Sequence, residues 1–86
     1  MKKRSVYDIY ADILGYLSVT GRSRITRIAR FANLPLDRAK KVLDRMVMCG
    51  LLRVERGDAI YYRITRRGYE YIEIYKRLRR LAGTLE

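Results

Sequence analysis

The stretch ITRIARFANLPLDRAKKVLDRM, residues 25–46, decides the fold because it has the pattern of two helices joined by a tight turn. Asn33 tolerates the left-handed conformation that often ends a helix. Pro35 can stop one helix and start the next, because its missing N–H is no loss in a first turn. We expect the first helix over residues 24–32, with Ser23 as its N-cap. Helix, turn and helix together make a helix-turn-helix.

The second helix of this pair, predicted over residues 36–49 and closed by Gly50, has one apolar and one basic side. Its apolar residues recur at helical spacing and are Ala39, Leu43, Met46 and Val47. Its basic stripe is Arg38, Lys41 and Arg45, with Lys40 beside it. Such a helix can lie in the major groove of DNA, where cations reach base edges and phosphates. The alternative is a solvated charged face.

Another helix is predicted before this pair. Residues 1–4 form a basic arm that we expect to be frayed. Ser5 is a suitable N-cap with Asp8 as its acidic partner, and the helix is expected to run to about residue 18. Asp8 and Asp12 lie four residues apart without a histidine beside them, so we interpret them as surface charges rather than a catalytic pair.

The sequence LLRVERGDAIYYRIT, residues 51–65, predicts two strands joined by a tight loop. A two-residue loop would mix apolar and polar side chains on each face. A three-residue loop over residues 57–59 places Val54 opposite Tyr62, which leaves one face apolar, and we therefore predict the longer loop. The same register places Leu52 opposite Ile64. This hairpin is a wing, and its cations are Arg53, Arg56 and, on the second strand, Arg63.

Two apolar patterns overlap in the last helix, which is predicted over residues 66–82 with Thr65 as its cap. One row is spaced so that it can pack on the rest of the domain, and it consists of Tyr69, Ile72 and Tyr75. A second row recurs at coiled-coil spacing, and a small domain cannot cover both faces, so we expect an antiparallel homodimer. The alternative is that this row packs against other residues of its own chain. The predicted dimer interface is Tyr71, Ile74, Tyr75, Leu78 and Leu81.

The composition favours a polyanionic partner. The net charge is +11 and the pI is about 10.3, and such an excess of positive charge suits nucleic acid. An anionic membrane surface is the competing polyanion, but no run approaches the roughly 20 apolar residues that span a bilayer. Length predicts a single domain. The lone Cys49 permits no intrachain disulfide, which fits an intracellular protein, and we expect it to be a small buried hydrophobe.

An enzyme is not expected. The chain has no histidine, so it lacks an imidazole base or imidazole metal ligand, and it has no glycine-rich phosphate loop. We predict no catalytic residue, no metal and no cofactor.

Three segments, ITRIARFANL, LDRAKKVLDRMVMCGLL and YYRITRRGYEYI, carry a family resemblance. In this order they resemble the archaeal winged helix-turn-helix family of small dimeric chromatin-type DNA-binding proteins. In that family a turn like ANL precedes the recognition helix, GL starts the wing, and Y-x-[LI]-T-x-x-G, here residues 62–68, leads into the last helix. The resemblance implies a mainly α fold with a β-hairpin, in the order helix-helix-helix-hairpin-helix. It also implies a homodimer joined by antiparallel pairing of the long C-terminal helix.

We therefore expect a double-stranded DNA-binding protein, either a transcription regulator or a small chromatin protein, located in the cytoplasm with the nucleoid. The expected parts are an arm (residues 1–4), a DNA-binding domain (5–66) and a dimerisation helix with its tail (67–86). The expected DNA-binding residues are Arg24, Arg27, Arg38, Lys40, Lys41, Arg45, Arg53, Arg56 and Arg63. The alternatives are a winged-helix protein-interaction module and an RNA binder whose tyrosines stack on bases.

Overall fold

The computed structural model describes residues 4–83, so three residues of the predicted arm and the tail at residues 84–86 lie outside the described part. The elements are α1 (Val6–Thr20), β1 (Arg22–Ser23), α2 (Ile25–Ala32), α3 (Leu36–Met48), β2 (Leu52–Arg56), β3 (Ile60–Ile64) and α4 (Arg66–Ala82). This is the predicted winged helix-turn-helix order with one addition, the short strand β1. It pairs with β3, which makes a three-stranded antiparallel sheet in the order β1-β3-β2.

The start of α1 is fixed by a reciprocal cap. The hydroxyl of Ser5 accepts from the backbone N–H of Asp8 at 3.1 Å, and the Asp8 carboxylate accepts from the Ser5 N–H at 3.0 Å, as predicted. The expectation of a frayed arm is wrong at Arg4. Its guanidinium donates to Asp12 at 2.9 Å and to the backbone carbonyl of Ala32, because the last carbonyls of α2 have no partner within their own helix.

The predicted N-cap of α2 is wrong. Ser23 lies in β1 opposite Tyr62, where it is only 5% exposed, and Arg24 takes the N-cap position without a side-chain bond. Strand pairing therefore outweighs the capping preference of serine here. The turn after α2 is as predicted, since Asn33 adopts φ 58° and ψ 49° and Pro35 precedes the first residue of α3.

The end of α3 is a Schellman motif. Gly50, at φ +80°, donates to the carbonyl of Val47 at 3.0 Å, and Leu51 donates to that of Met46 at 2.9 Å. The C-cap residue itself is Cys49, one position before the predicted glycine, and α3 ends at Met48. Cys49 is exposed, so the expectation of a buried cysteine is wrong. It follows the last turn of α3, just before the chain returns to the core at Leu51.

The hairpin register is the predicted one, with Val54 opposite Tyr62 and Leu52 opposite Ile64. The apolar face of the hairpin closes a core to which α1, α2, α3 and the sheet all contribute. The largest fully buried side chains are Ile13, Leu14, Leu17, Ile28, Leu43, Met46 and Leu52.

The first turn of α4 fits tightly against the hairpin. Thr65 accepts from the N–H of Gly68 at 3.1 Å and donates to the Gly50 carbonyl at 2.6 Å. A Cβ at Gly68 would lie 2.5 Å from the carbonyl oxygen of Leu51 and 2.6 Å from a side-chain carbon of Ile64. Only glycine therefore lets α4 begin so close to the hairpin.

The side of α4 that faces the domain differs in part from the prediction. Tyr71 packs on α1, where its hydroxyl donates to the Tyr7 carbonyl at 2.8 Å and its ring lies 6.1 Å from that of Tyr10. Tyr75 donates to the carboxylate of Asp8. Tyr69, expected to pack on the domain, is 49% exposed instead.

Candidate nucleic-acid interface

The basic stripe of α3 is open to solvent. Arg38, Lys41 and Arg45 are all exposed, and within residues 4–83 none of them forms an ion pair with a carboxylate. The opposite side of the helix holds the predicted apolar residues, of which all but half-buried Val47 are buried, together with Val42. The core thus seats α3 so that its cations point outward.

Lys40 is in a different situation from this stripe. Its amino group lies 2.7 Å from the carboxylate of Asp44, one helical turn further on. The hydrogen bond from Lys40 to Asp44 raises the pKa of the lysine above its ordinary value. Lys40 therefore stays charged, but its charge has a nearby counter-ion that the stripe cations lack.

The predicted cations of α2 also lie on the surface. Arg24 and Arg27 are exposed on the outer side of the helix, on the other arm of the helix-turn-helix. Neither forms an ion pair with a carboxylate in the described part of the chain.

The wing cations divide into two groups. Arg56, where β2 ends, is exposed and forms no ion pair among residues 4–83. Arg53 and Arg63 instead share the carboxylate of Glu55, at 3.9 Å and 2.7 Å. The hydrogen bond from Arg63 is the main reason why the pKa of Glu55 is below its ordinary value.

A further arginine at this carboxylate was missed by the sequence analysis. Arg22 of β1 lies 3.3 Å from Glu55, and its guanidinium carbon is 3.9 Å from the centre of the Tyr61 ring. A strand of two residues has no alternation to detect, so the sequence carries no signal that Arg22 joins the sheet.

A groove separates α3 from the wing. Lys40 and Asp44 lie on its α3 side, Val54 and Arg56 on its hairpin side, and Met48 is 86% exposed beside it. The groove therefore has one cation on each margin, Lys40 on α3 and Arg56 on the wing, and the stripe cations of α3 are not among its lining residues.

The predicted dimer residues fall into an exposed group and a half-buried group. Ile74, Leu78 and Leu81 are 64%, 61% and 83% exposed, while Tyr71 and Tyr75 are half-buried in contacts within the chain. The predicted row thus lies partly on the surface and partly against α1. Within residues 4–83, the helices lack the combination of length and apolar composition that a membrane span requires.

Comparison with solved structures finds the same fold in several proteins. Sso10a-2, a DNA-binding protein from Sulfolobus solfataricus, is 26% identical with a TM-score of 0.77, over 92% of this chain and 82% of that one. A MarR family protein from Bacillus stearothermophilus is 28% identical with a TM-score of 0.73, over 90% of this chain and 57% of that one. The oxidised form of MarR from E. coli is 15% identical with a TM-score of 0.75, over 83% and 53%.

This chain thus spans little more than half the length of these two MarR structures. A search of curated proteins finds no match. The sequence profile of the winged helix-turn-helix family matches residues 3–83. Together with the order of the elements, this match shows that the chain belongs to the winged helix-turn-helix family.

Proposed function

We propose that this protein binds double-stranded DNA as a transcription regulator or small chromatin protein. The observation that carries the proposal is the exposed stripe of Arg38, Lys41 and Arg45 on the second helix of the helix-turn-helix. No carboxylate of residues 4–83 forms an ion pair with these cations. In this fold the second helix is the one that enters the major groove.

The cations have different roles in the proposal. Those of the α3 stripe reach base edges and phosphates, because an arginine fork binds guanine or phosphate through two parallel hydrogen bonds. Arg24 and Arg27 bind the flanking backbone, and the wing, led by Arg56, reaches the minor groove or the next phosphates. Lys40 contributes less than the stripe because Asp44 already neutralises part of its charge.

A homodimer is part of the same proposal. The apolar row Ile74, Leu78 and Leu81 is exposed on the C-terminal half of α4. Pairing this row with a second copy removes it from water, and an antiparallel arrangement keeps the arginines near its end apart. Residues 67–86 are then the dimerisation segment and residues 5–66 the DNA-binding part. The likeness to Sso10a-2, a DNA-binding protein, extends over 82% of that chain and supports DNA binding by this one.

The experiment is a titration of a fluorescent random-sequence duplex between 50 and 200 mM salt, followed by anisotropy. If each chain neutralises about four phosphates, a dimer is expected to show a log–log slope near −7, because each phosphate contact contributes about −0.9. A flat salt dependence would contradict the electrostatic mechanism. A single-stranded RNA of equal length is the competitor, and preference for RNA would favour the RNA-binding alternative.

A second candidate function is a winged-helix module that joins other proteins. The exposed row on α4 favours it, since a row of this kind serves a foreign helix as well as a second copy. In that case the duplex titration is expected to show no saturable binding, while the row still mediates association.

A further inference from the structure

Three arginines lie side by side across the sheet, one on each strand. Arg22 of β1 is directly opposite Arg63 of β3, and Arg63 is directly opposite Arg53 of β2. We call this set the arginine row. Neighbouring strands are about 4.8 Å apart, so the row brings three positive charges to within roughly 10 Å on one face. Like charges that are directly opposite destabilise a sheet.

Within residues 4–83, Glu55 is the one carboxylate that forms ion pairs with the arginine row. Its oxygens lie 2.7 Å from Arg63, 3.3 Å from Arg22 and 3.9 Å from Arg53. One negative charge against three positive ones leaves this face with an excess of cations. The four side chains are between 33% and 63% exposed, so an anion from solution can reach them.

We propose that the arginine row binds phosphate groups of duplex DNA, and that Glu55 is its internal counter-ion, which loses its arginine partners to a phosphate when DNA binds. The inference rests on the proposed function and extends it to Arg22 and Glu55. A guanidinium offers the same pair of N–H donors to a phosphate as to a carboxylate, so the exchange keeps its hydrogen bonds. Glu55 then opposes the bound phosphate and lowers the affinity for DNA.

Tyr61 helps to hold the row in position. It lies opposite Glu55 on the same face, and its ring is under the guanidinium of Arg22 at 3.9 Å. This contact and the ion pair with Glu55 restrict Arg22 from two sides. A guanidinium held in this way loses less side-chain freedom when it binds a phosphate.

The phosphates have two sources. Because Val54 and Tyr62, on the opposite face of the hairpin, line the groove beside α3, the arginine row faces away from this helix. The row therefore contacts either the flank of the duplex that α3 reads or a second duplex. The wild type or Arg22→Ala is first bound to a duplex on beads, and a second, labelled duplex is then added. If the wild type captures the labelled duplex and Arg22→Ala does not, the row binds a second duplex. If both proteins capture it equally and Arg22→Ala binds duplex more weakly in solution, the row contacts the flank.

The test uses Glu55→Gln with Glu73→Gln as its control, because both changes remove one negative charge and Glu73 is exposed on α4, away from the sheet. In the duplex titration, Glu55→Gln is expected to bind about 3–10 times more tightly than the wild type, with a salt slope steeper by up to about 0.9 per chain. Glu73→Gln is expected to stay within about twofold. Equal gains by the two variants, or no gain by Glu55→Gln, would overturn the proposal.

The complementary pair is Arg22→Ala with Arg80→Ala as control. Arg22→Ala is expected to weaken binding about 3–10-fold and to make the slope shallower by about 0.9 per chain, and Arg80→Ala to have little effect. Equal losses in the two variants would contradict the assignment of Arg22. Circular dichroism establishes that each variant is folded.

A measurement without DNA separates this inference from the proposed function. Pyrophosphate is expected to raise the melting temperature of Glu55→Gln more than that of Glu73→Gln, because the arginine row then lacks its counter-ion. Equal protection of both variants would overturn the inference even if the wild type binds DNA. Unequal protection together with no duplex binding would support the anion site and contradict the proposed function.

Discussion

The position of each stripe cation on α3 explains why it forms no ion pair with a carboxylate of residues 4–83. Arg38 and Arg45 project from the side opposite to buried Ala39 and Leu43, whereas Lys40 lies one turn before Asp44 and is paired with it. Helical periodicity was enough to predict this stripe. The partner of Lys40 also follows from i,i+4 spacing, which is a local property.

We expect Arg38→Ala and Arg45→Ala each to weaken duplex binding by about 1–3 kcal/mol, because each removes charge-assisted contacts in the groove. Lys40→Ala should have a smaller effect, because the amino group of Lys40 is already bound to Asp44 at 2.7 Å and is less available to a phosphate. Anisotropy titrations at fixed salt measure these differences. Arg80→Ala on α4 is the control for net charge. If it weakens binding as much as Arg38→Ala, α3 is not the reading helix.

Two helical glycines make a matched pair for stability. Gly68→Ala is expected to destabilise the protein by about 1–3 kcal/mol, because the new methyl group meets the Leu51 carbonyl and the side chain of Ile64. Gly15→Ala in α1 is expected to stabilise it by about 0.5–1 kcal/mol, because a Cβ there meets nothing within 4 Å and alanine favours the helix. Urea denaturation measures both values, and the same sign for both would contradict this packing.

At the scale of elements, regular alternation and turn chemistry were predictable. The hairpin register followed from one apolar face, and the turn between α2 and α3 followed from Asn33 and Pro35. The strand β1 was not predictable, because two residues give no period and the pairing partner of Ser23 lies 39 positions away. The candidate site was consequently predicted without Arg22, whose place depends on that pairing.

The contact between α1 and α4 shows a second limit. Both apolar rows of α4 have helical spacing, and from spacing alone we expected Tyr69 to pack on the domain and Tyr71 to belong to the dimer row. In the structure Tyr71 packs on α1 and Tyr69 is exposed. The face that packs on α1 is determined by partners on that helix. Tyr71 donates to the carbonyl of Tyr7 and packs against the ring of Tyr10. Tyr75 donates to the carboxylate of Asp8. Such partners are distant in sequence and leave no periodic signal.

This contact predicts a loss of stability in alkali. Burial is the main cause that raises the pKa of Tyr71 from 10.0 to about 12. Because the pKa of Tyr71 is higher in the folded than in the unfolded state, the neutral side chain contributes its full stabilisation of the fold below pH 10. This contribution is lost as the pH rises towards 12. The free energy of unfolding should therefore fall over this window. In Tyr71→Phe this part of the fall should be missing, and an unchanged profile would contradict the assignment.

At the scale of the whole molecule, a charge of +11 on 86 residues opposes the self-association that the apolar row of α4 favours. Salt screens this repulsion, so we expect the dimer to tighten as ionic strength rises, while duplex binding weakens. Sedimentation equilibrium at several salt concentrations separates the two trends.

Leu78→Asp is expected to give a monomer, because it places a charge in the centre of the apolar row. Tyr69→Asp is the matched control, since it lies nine residues away on the opposite side of the same helix and is also exposed. Light scattering after size exclusion gives the mass of each variant. A dimer in Leu78→Asp would mean that this row is not the interface.

The helix α4 is continuous from Arg66 to Ala82, with Tyr71 and Tyr75 packed on α1 and the apolar row projecting into solvent towards its C-terminal end. In a dimer joined at the apolar row, the packing of Tyr71 and Tyr75 would set the angle between the two copies. Through that angle it would select the distance between the two halves of a DNA site. Substitutions at these tyrosines, which never touch DNA, would then change the preferred spacer length in an operator and leave recognition of each half unchanged.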